Sequence, residues 1–234
     1  ETRLVFPSAR GPWCEAGPVT SEPEWWRGVA PPERPPADWG HYDWIIGRHA
    51  RALDAPVQIH SGLRTLRFVR AELRDIDVAL TDAHLSVAWS EFDRCTFRQR
   101  VRPVLNEYGV AAQGSFGIRP SVYRDCVFEK VRFKQLGGFS MSAARFERCT
   151  FVDCRWEGHF AQEADLVDNT FIGRMNGCVW LGHGKEEGGK SRKNVIQGND
   201  FTQTRFTDNV GWRLEFPIGD QSWPADYTAT PKDL

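Results

Sequence analysis

Large apolar residues recur every five positions in this chain, and that period limits what it can fold into more than any other feature. Phe146, Phe151 and Trp156 are followed by Leu166 and Phe171, and then by Ile196, Phe201 and Phe206. Two positions before each stands something small or compact: Ala144, Cys149, Cys154, Ala164, Asn169, Asn194, Asn199 and Thr204. A period of five fits neither an amphipathic helix, with its period of about 3.6, nor a half-buried strand, with its period of about 2. It marks a repeat architecture, in which each short unit buries its apolar face only against its neighbours.

A coil with four sides of about five residues stacks positions about twenty apart. Val78, Phe97, Phe128, Phe151, Phe171 and Phe201 form one such row, preceded two residues earlier by Ile76, Cys95, Cys126, Cys149, Asn169 and Asn199. A second row runs Leu73, Phe92, Tyr123, Phe146, Leu166, Ile196 and Phe216. The compact partners of both rows suit the close approach of walls inside a narrow tube.

Segments such as Cys126-Val127-Phe128-Glu129-Lys130, Cys149-Thr150-Phe151-Val152-Asp153 and Asn199-Asp200-Phe201-Thr202-Gln203 resemble the motif of the pentapeptide-repeat family. That motif is a central Leu or Phe preceded two residues earlier by a small residue. The resemblance covers about 63–216 and implies an all-β fold, a right-handed quadrilateral parallel β-helix. Its turns would be spaced by one strand separation, about 4.8 Å. The spacing along the Val78 row departs from a steady twenty, being 19, 31, 23, 20 and 30 residues. An ordinary right-handed parallel β-helix, of the pectate-lyase-like kind, accommodates such variation and is the second architecture.

Outside the repeats the composition changes. Residues 1–60 hold nine of the 14 prolines and five of the ten tryptophans. They read as an irregular Pro/Trp-rich arm followed by a short capping helix over Asp38–Leu53, with Asp38 as N-cap and Pro56 beyond the stop. The β-helix repeat domain is expected over 61–220, and 221–234 as a C-terminal tail closing the other end. The extra residues of the long coils fall at about 98–120, 134–142, 157–163 and 181–194, between the Val78 row of one coil and the Leu73 row of the next. Insertions on one flank of a repeat protein often build its binding face. The candidate binding residues there are Arg102, Tyr108, His159, Glu163, His183, Lys185, Lys190 and Arg192.

The net charge is −1, and no run of 18 apolar residues occurs, so a soluble, cytoplasmic protein without a membrane partner is expected. The six cysteines form no Cys-x-x-Cys pair and no zinc-like cluster, and five of them precede a large apolar residue by two positions. They read as reduced core fillers. Gly184 to Ser191 satisfies the phosphate-loop pattern G-x-x-x-x-G-K-S. That chemistry needs a following helix, whereas Arg192-Lys193-Asn194-Val195-Ile196 reads as a repeat strand. His159, Glu163, Asp165 and Asp168 are the nearest approach to a catalytic cluster, and no nucleophile elbow or His-Glu-x-x-His motif accompanies them.

The expected function is therefore a non-enzymatic binding module that docks a protein through loops on one flank, with no cofactor and no metal. A carbohydrate-active or carbohydrate-binding β-helix is the alternative, with Trp156, Trp180 and Trp212 as ring faces. A third reading follows from the resemblance alone, because some family members mimic duplex DNA and protect a topoisomerase. Residues 61–216 carry 23 Lys and Arg against 20 Asp and Glu, a net of +3. A DNA mimic should be acidic, and nucleic acid itself is not an expected partner at this overall charge.

Overall fold

The computed structural model describes residues 43–46, 57–58, 65–69, 71–80, 84–99, 113–134, 137–185, 191–207 and 210–231. Within them the chain is all-β. Among the described residues there is no α-helix, only a short 3-10 turn at Ile218–Asp220, and no helix long and apolar enough to cross a membrane. Nearly all pairings are parallel, and apart from Phe133 with Phe139 they join a strand to one about a coil further along the chain. Successive strands of a coil go to successive rows, and among the described residues a fourth row begins at Arg132.

The first row joins Asp43–Ile46, Thr65–Val69, His84–Ala88, Gly114–Ser115 and Phe139–Ser140. Phe160–Ala161, Val179–Leu181 and Gly211–Arg213 follow as a separate three-stranded sheet. The second row aligns Leu73, Phe92, Tyr123, Phe146, Leu166 and Ile196. The third aligns Val57, Val78, Phe97, Phe128, Phe151 and Phe171. These are the registers that the five-residue period predicts, coil by coil, despite the unequal spacing. Phe216 is buried as expected of the second row, but it belongs to no strand and packs its ring on Trp212, 4.7 Å away. In the fourth row Arg132–Phe133 and Arg155–Glu157 pair with the C-terminal halves of Thr170–Asn176 and Asp200–Phe206.

Aromatic side chains set the interior. Phe97, Phe128, Phe151, Phe171 and Phe201 stack face to face at 5.0, 4.8, 4.8 and 4.6 Å. That is the separation of neighbouring strands, so one flat ring fills each rung and touches the next. Between the second and third rows the chain turns at Asp75, Arg94, Asp125, Arg148 and Asp168, all with φ between 52° and 55°. Their amide N–H groups still donate to the next coil, as in Arg148 N to Val167 O at 2.9 Å. A left-handed conformation is unfavourable for residues with a Cβ, and it is held here by that coil-to-coil bonding.

The compact positions inside these turns hold two chemistries. Cys95, Cys126 and Cys149 are free and buried, with thiols directed at main-chain carbonyls such as Tyr123 O, 3.3 Å from Cys149 Sγ. Burial pushes the Cys126 and Cys154 thiols up, so they stay protonated. Cys14 lies outside the described residues. In later coils Asn169, Asn199 and Gln221 take over. Asn169 Oδ1 accepts from Cys149 N at 2.8 Å, and its amide donates to Phe146 O and Asn199 Oδ1 at 3.0 and 2.9 Å. Each buried amide thereby has its donors and acceptors satisfied.

Three expectations change. Asp43–Ile46, inside the segment read as a capping helix, is a strand paired with Thr65–Val69. The sequence Trp44-Ile45-Ile46 is rich in strand formers, and an open sheet edge is available to it. The rest of the arm lies outside the described residues, apart from the strand Val57–Gln58. The segments 98–120, 134–142 and 157–163 are not simply inserted loops, since they contain the first-row strands Gly114–Ser115, Phe139–Ser140 and Phe160–Ala161. These strands are only two residues long, and the small Ala161 at the five-residue position of the last is no large apolar marker, so the pattern of large apolar residues misses them. The tail is part of the coil: Ser222 bridges Asp200, Pro231 bridges Trp212, and Trp223 stacks on Phe201 at 5.0 Å.

Candidate binding surface

The insertion at 181–194 is an antiparallel hairpin, His183–Lys185 against Ser191–Lys193, leaving the coil between the first and second rows. Ser191–Lys193 being a strand, the phosphate-loop pattern lacks its helix. The base of the hairpin is pressed against the coil. A Cβ on Gly182 would lie 2.3 Å from Leu214 O, and one on Gly184 would lie 2.4 Å from Gln162 O, so only glycine fits either place. Asn194 ties the returning strand down by donating to Gln162 O and Leu181 O at 2.9 and 2.8 Å.

The strongest tie is ionic. Arg192 forks onto Asp165 with nitrogen–oxygen distances of 3.0 and 3.1 Å and donates to Glu163 O at 2.7 Å. The Asp165 carboxylate is 1% exposed and also accepts from Val195 N at 2.8 Å. A bidentate guanidinium–carboxylate pair removed from water is a strong geometric constraint.

Asp165 continues a run of charges across the outer side of the second row. Arg145 lies 4.0 Å from it and also bonds Glu147, which is itself buried. Arg124 then bridges Glu147 at 3.2 Å and Glu91 at 2.9 Å. Burial lowers the pKa of the Arg124 guanidinium, but the bonds and charges of Glu91 and Glu147 outweigh it and hold the pKa above the usual arginine value. Charges of opposite sign on successive rungs thus neutralise one another.

The structure gathers only some of the residues singled out from sequence. Arg192 and the backbone of Glu163 meet at the hairpin base. His183 sits beside them, with Nε2 3.1 Å from Glu215 Oε2 and Nδ1 3.4 Å from Ser191 Oγ. Lys185 is on the first hairpin strand. Arg102, Tyr108 and Lys190 lie outside the described residues.

His159 is not on a surface at all. It is 1% exposed, ringed by Phe133, Trp156 and Trp180, and neither ring nitrogen has a hydrogen-bond partner. Burial lowers its pKa to about 3, so it is neutral. The sequence offered a sign of this: Ala161 stands where the first row next places Trp180, and the ring two residues earlier fills the vacated space.

Trp156, Trp180 and Trp212 are buried as well, so none offers a ring face to a ligand. Asp168 is exposed at its turn. Among the described residues no group of His, Cys, Asp and Glu is arranged to hold a metal ion.

Sequence reasoning missed a second feature. A cavity of about 400 Å³ opens on the fourth row, lined by Asp153, Arg155, Glu157, Arg174 and Asn176 above buried Cys154 and Trp156. Its signal was an arginine placed immediately before the inward residue of four successive coils. Compared with family models, curated proteins and solved structures, the chain matches none.

Proposed function

We propose that this chain is a non-enzymatic binding module of pentapeptide-repeat type, a right-handed quadrilateral coil that docks a protein partner through the 183–193 hairpin. The four rows of parallel pairings and the small-x-apolar motif support that architecture. The anchoring of the hairpin carries the functional reading. A tolerated surface loop lengthens at little cost and needs no dedicated fixing. Here a desolvated ion pair, two carboxamide bonds and two glycine contacts fix the strands on either side of 186–190. Such fixing lowers the ordering cost of binding.

The carbohydrate reading loses the aromatic faces it required, and the alternating charges of the second row do not resemble the acidic track of duplex DNA.

The test is affinity capture from the source lysate with the intact chain and with a variant whose residues 186–190 are replaced by an Asn-Gly turn, leaving both hairpin strands in place. A defined protein captured by the intact chain and lost with the variant is the expected result. Equal capture by both, or capture by neither, would overturn docking through the hairpin.

A further inference from the structure

The fourth row carries a column of like charges. Arg132 is paired in register with Arg155, and Arg174 with Arg205. Trp156 lies opposite Met175, which places Arg155 beside Arg174. Four guanidinium groups therefore project from four consecutive rungs, with strand spacings of about 4.8 Å.

Other outward columns are neutralised. At the turns, Arg94 forks onto Asp75 at 2.7 and 2.9 Å, and Arg148 onto Asp125 at 2.8 and 2.8 Å. On the third row Arg98 meets Glu129 at 2.6 Å. The arginine column differs. Glu157 lies 2.8 Å from Arg155 and 3.8 Å from Arg132. Among the described residues no carboxylate lies within ion-pair distance of Arg174 or Arg205, and both are exposed. Like charges directly opposite on neighbouring strands destabilise a sheet, so an external anion that bridges them gains what the fold has left unmet.

We propose that this column docks an acidic segment of a partner protein. The chemistry selects a polypeptide over a phosphate polymer. Asp153 and Glu157 share the cavity with Arg155, Arg174 and Asn176, so the surface offers acceptors between its donors. A peptide brings carboxylates for the guanidinium forks and N–H groups for the two carboxylates. A nucleic acid backbone or polyphosphate presents acceptors to that cavity and is repelled by both. Acidic side chains three or four apart on a helix are about 5–6 Å from one another, close to the rung spacing.

The binding-module reading supplies only the expectation that the partner is a protein; the surface is separate from the hairpin. The test uses the full chain and fluorescein-labelled poly-L-glutamate, followed by anisotropy at low ionic strength. The double variant Arg174→Gln, Arg205→Gln, checked by circular dichroism, should bind about tenfold more weakly, as expected for two exposed charge contacts. The pair Arg94→Gln, Arg148→Gln, which removes equal charge from already neutralised sites, should leave binding within about twofold.

Unchanged binding in the first double variant, equal weakening in the second, or no binding by the unaltered chain would overturn the proposal. Tighter binding of a DNA oligonucleotide or inorganic polyphosphate through Arg174 and Arg205 would also overturn it, by assigning the column to phosphates. None of these results depends on residues 186–190. The column can fail while the hairpin reading stands, and the reverse.

Discussion

His159 shows how a single side chain can sit in an unfavourable state because packing leaves it no other. Its imidazole occupies the compact position of its coil, while Ala161 occupies the apolar one, so volume is conserved with the order inverted. The folded state holds the ring neutral with a pKa near 3, against 6.5 for the free side chain. A group whose folded pKa is depressed contributes stability above its unfolded pKa and loses it as pH falls toward the folded one. Stability should therefore decline between pH 6.5 and about 3, by about 3 kcal/mol at pH 4.5 relative to pH 7 from this ring alone. His159→Met should remove that part of the decline while changing stability at pH 7 by about 1 kcal/mol or less, because no hydrogen bond is lost. Urea denaturation of both proteins at the two pH values measures the difference. Parallel pH profiles would mean that the ring is solvated. The sequence made His159 look like a loop residue because a histidine at a small-residue position breaks the motif, and only its neighbour Ala161 records the compensation.

At the scale of the element, the hairpin depends on a pairing that spans 27 residues of chain, Arg192 to Asp165. Arg192→Ala would strand a carboxylate that is 1% exposed, with Arg145 at 4.0 Å as its nearest remaining cation. The expected loss is about 3 kcal/mol, at the low end for a broken buried pair because Arg145 can partly compensate. Chemical denaturation reads the loss, and faster hydrogen exchange at Val195 N, which donates to Asp165, would place it at the hairpin base. A change below about 1 kcal/mol would show that glycine contacts and Asn194 suffice as the anchor.

The hairpin was legible in the sequence as an insertion; its anchor was not. Inward positions recur because every coil must fill the same space, so their period survives unequal spacing. Outward neighbours follow from the register between coils, and the first-row strands Gly114–Ser115, Phe139–Ser140 and Phe160–Ala161 are too short to leave a period. Asp165 and the arginine column were therefore readable only after the coils had been aligned.

A repeat coil taken as a whole has no intrinsic end, because its last rung leaves strand edges and an apolar interior open. In this molecule residues 221–223 continue the pattern in kind. Gln221 extends the Asn169–Asn199 ladder, its Oε1 accepting from Asn199 N and Nδ2 at 3.0 and 2.8 Å. Trp223 continues the phenylalanine stack within 8° of parallel to Phe201. The tail thus supplies one further rung of the amide ladder and of the phenylalanine stack.

Truncation after Asp220 should then do two things together. It removes the partner of Phe201 and two hydrogen bonds of a buried amide, with an expected cost of about 3–5 kcal/mol, as for deleting a buried aromatic side chain. It also uncovers Asn199 O and Phe201 N, the main-chain groups that now bond Ser222, a template for a second copy. Sedimentation velocity should show the truncated chain associating at concentrations where the full chain does not change, and Trp223→Ala in the full chain should lose stability without associating. If the truncated chain sediments like the full one, the exposed rung is not adhesive and the tail serves stability alone. If Trp223→Ala associates as readily as the truncation, the uncovered ring stack, not the strand edge, drives the contact.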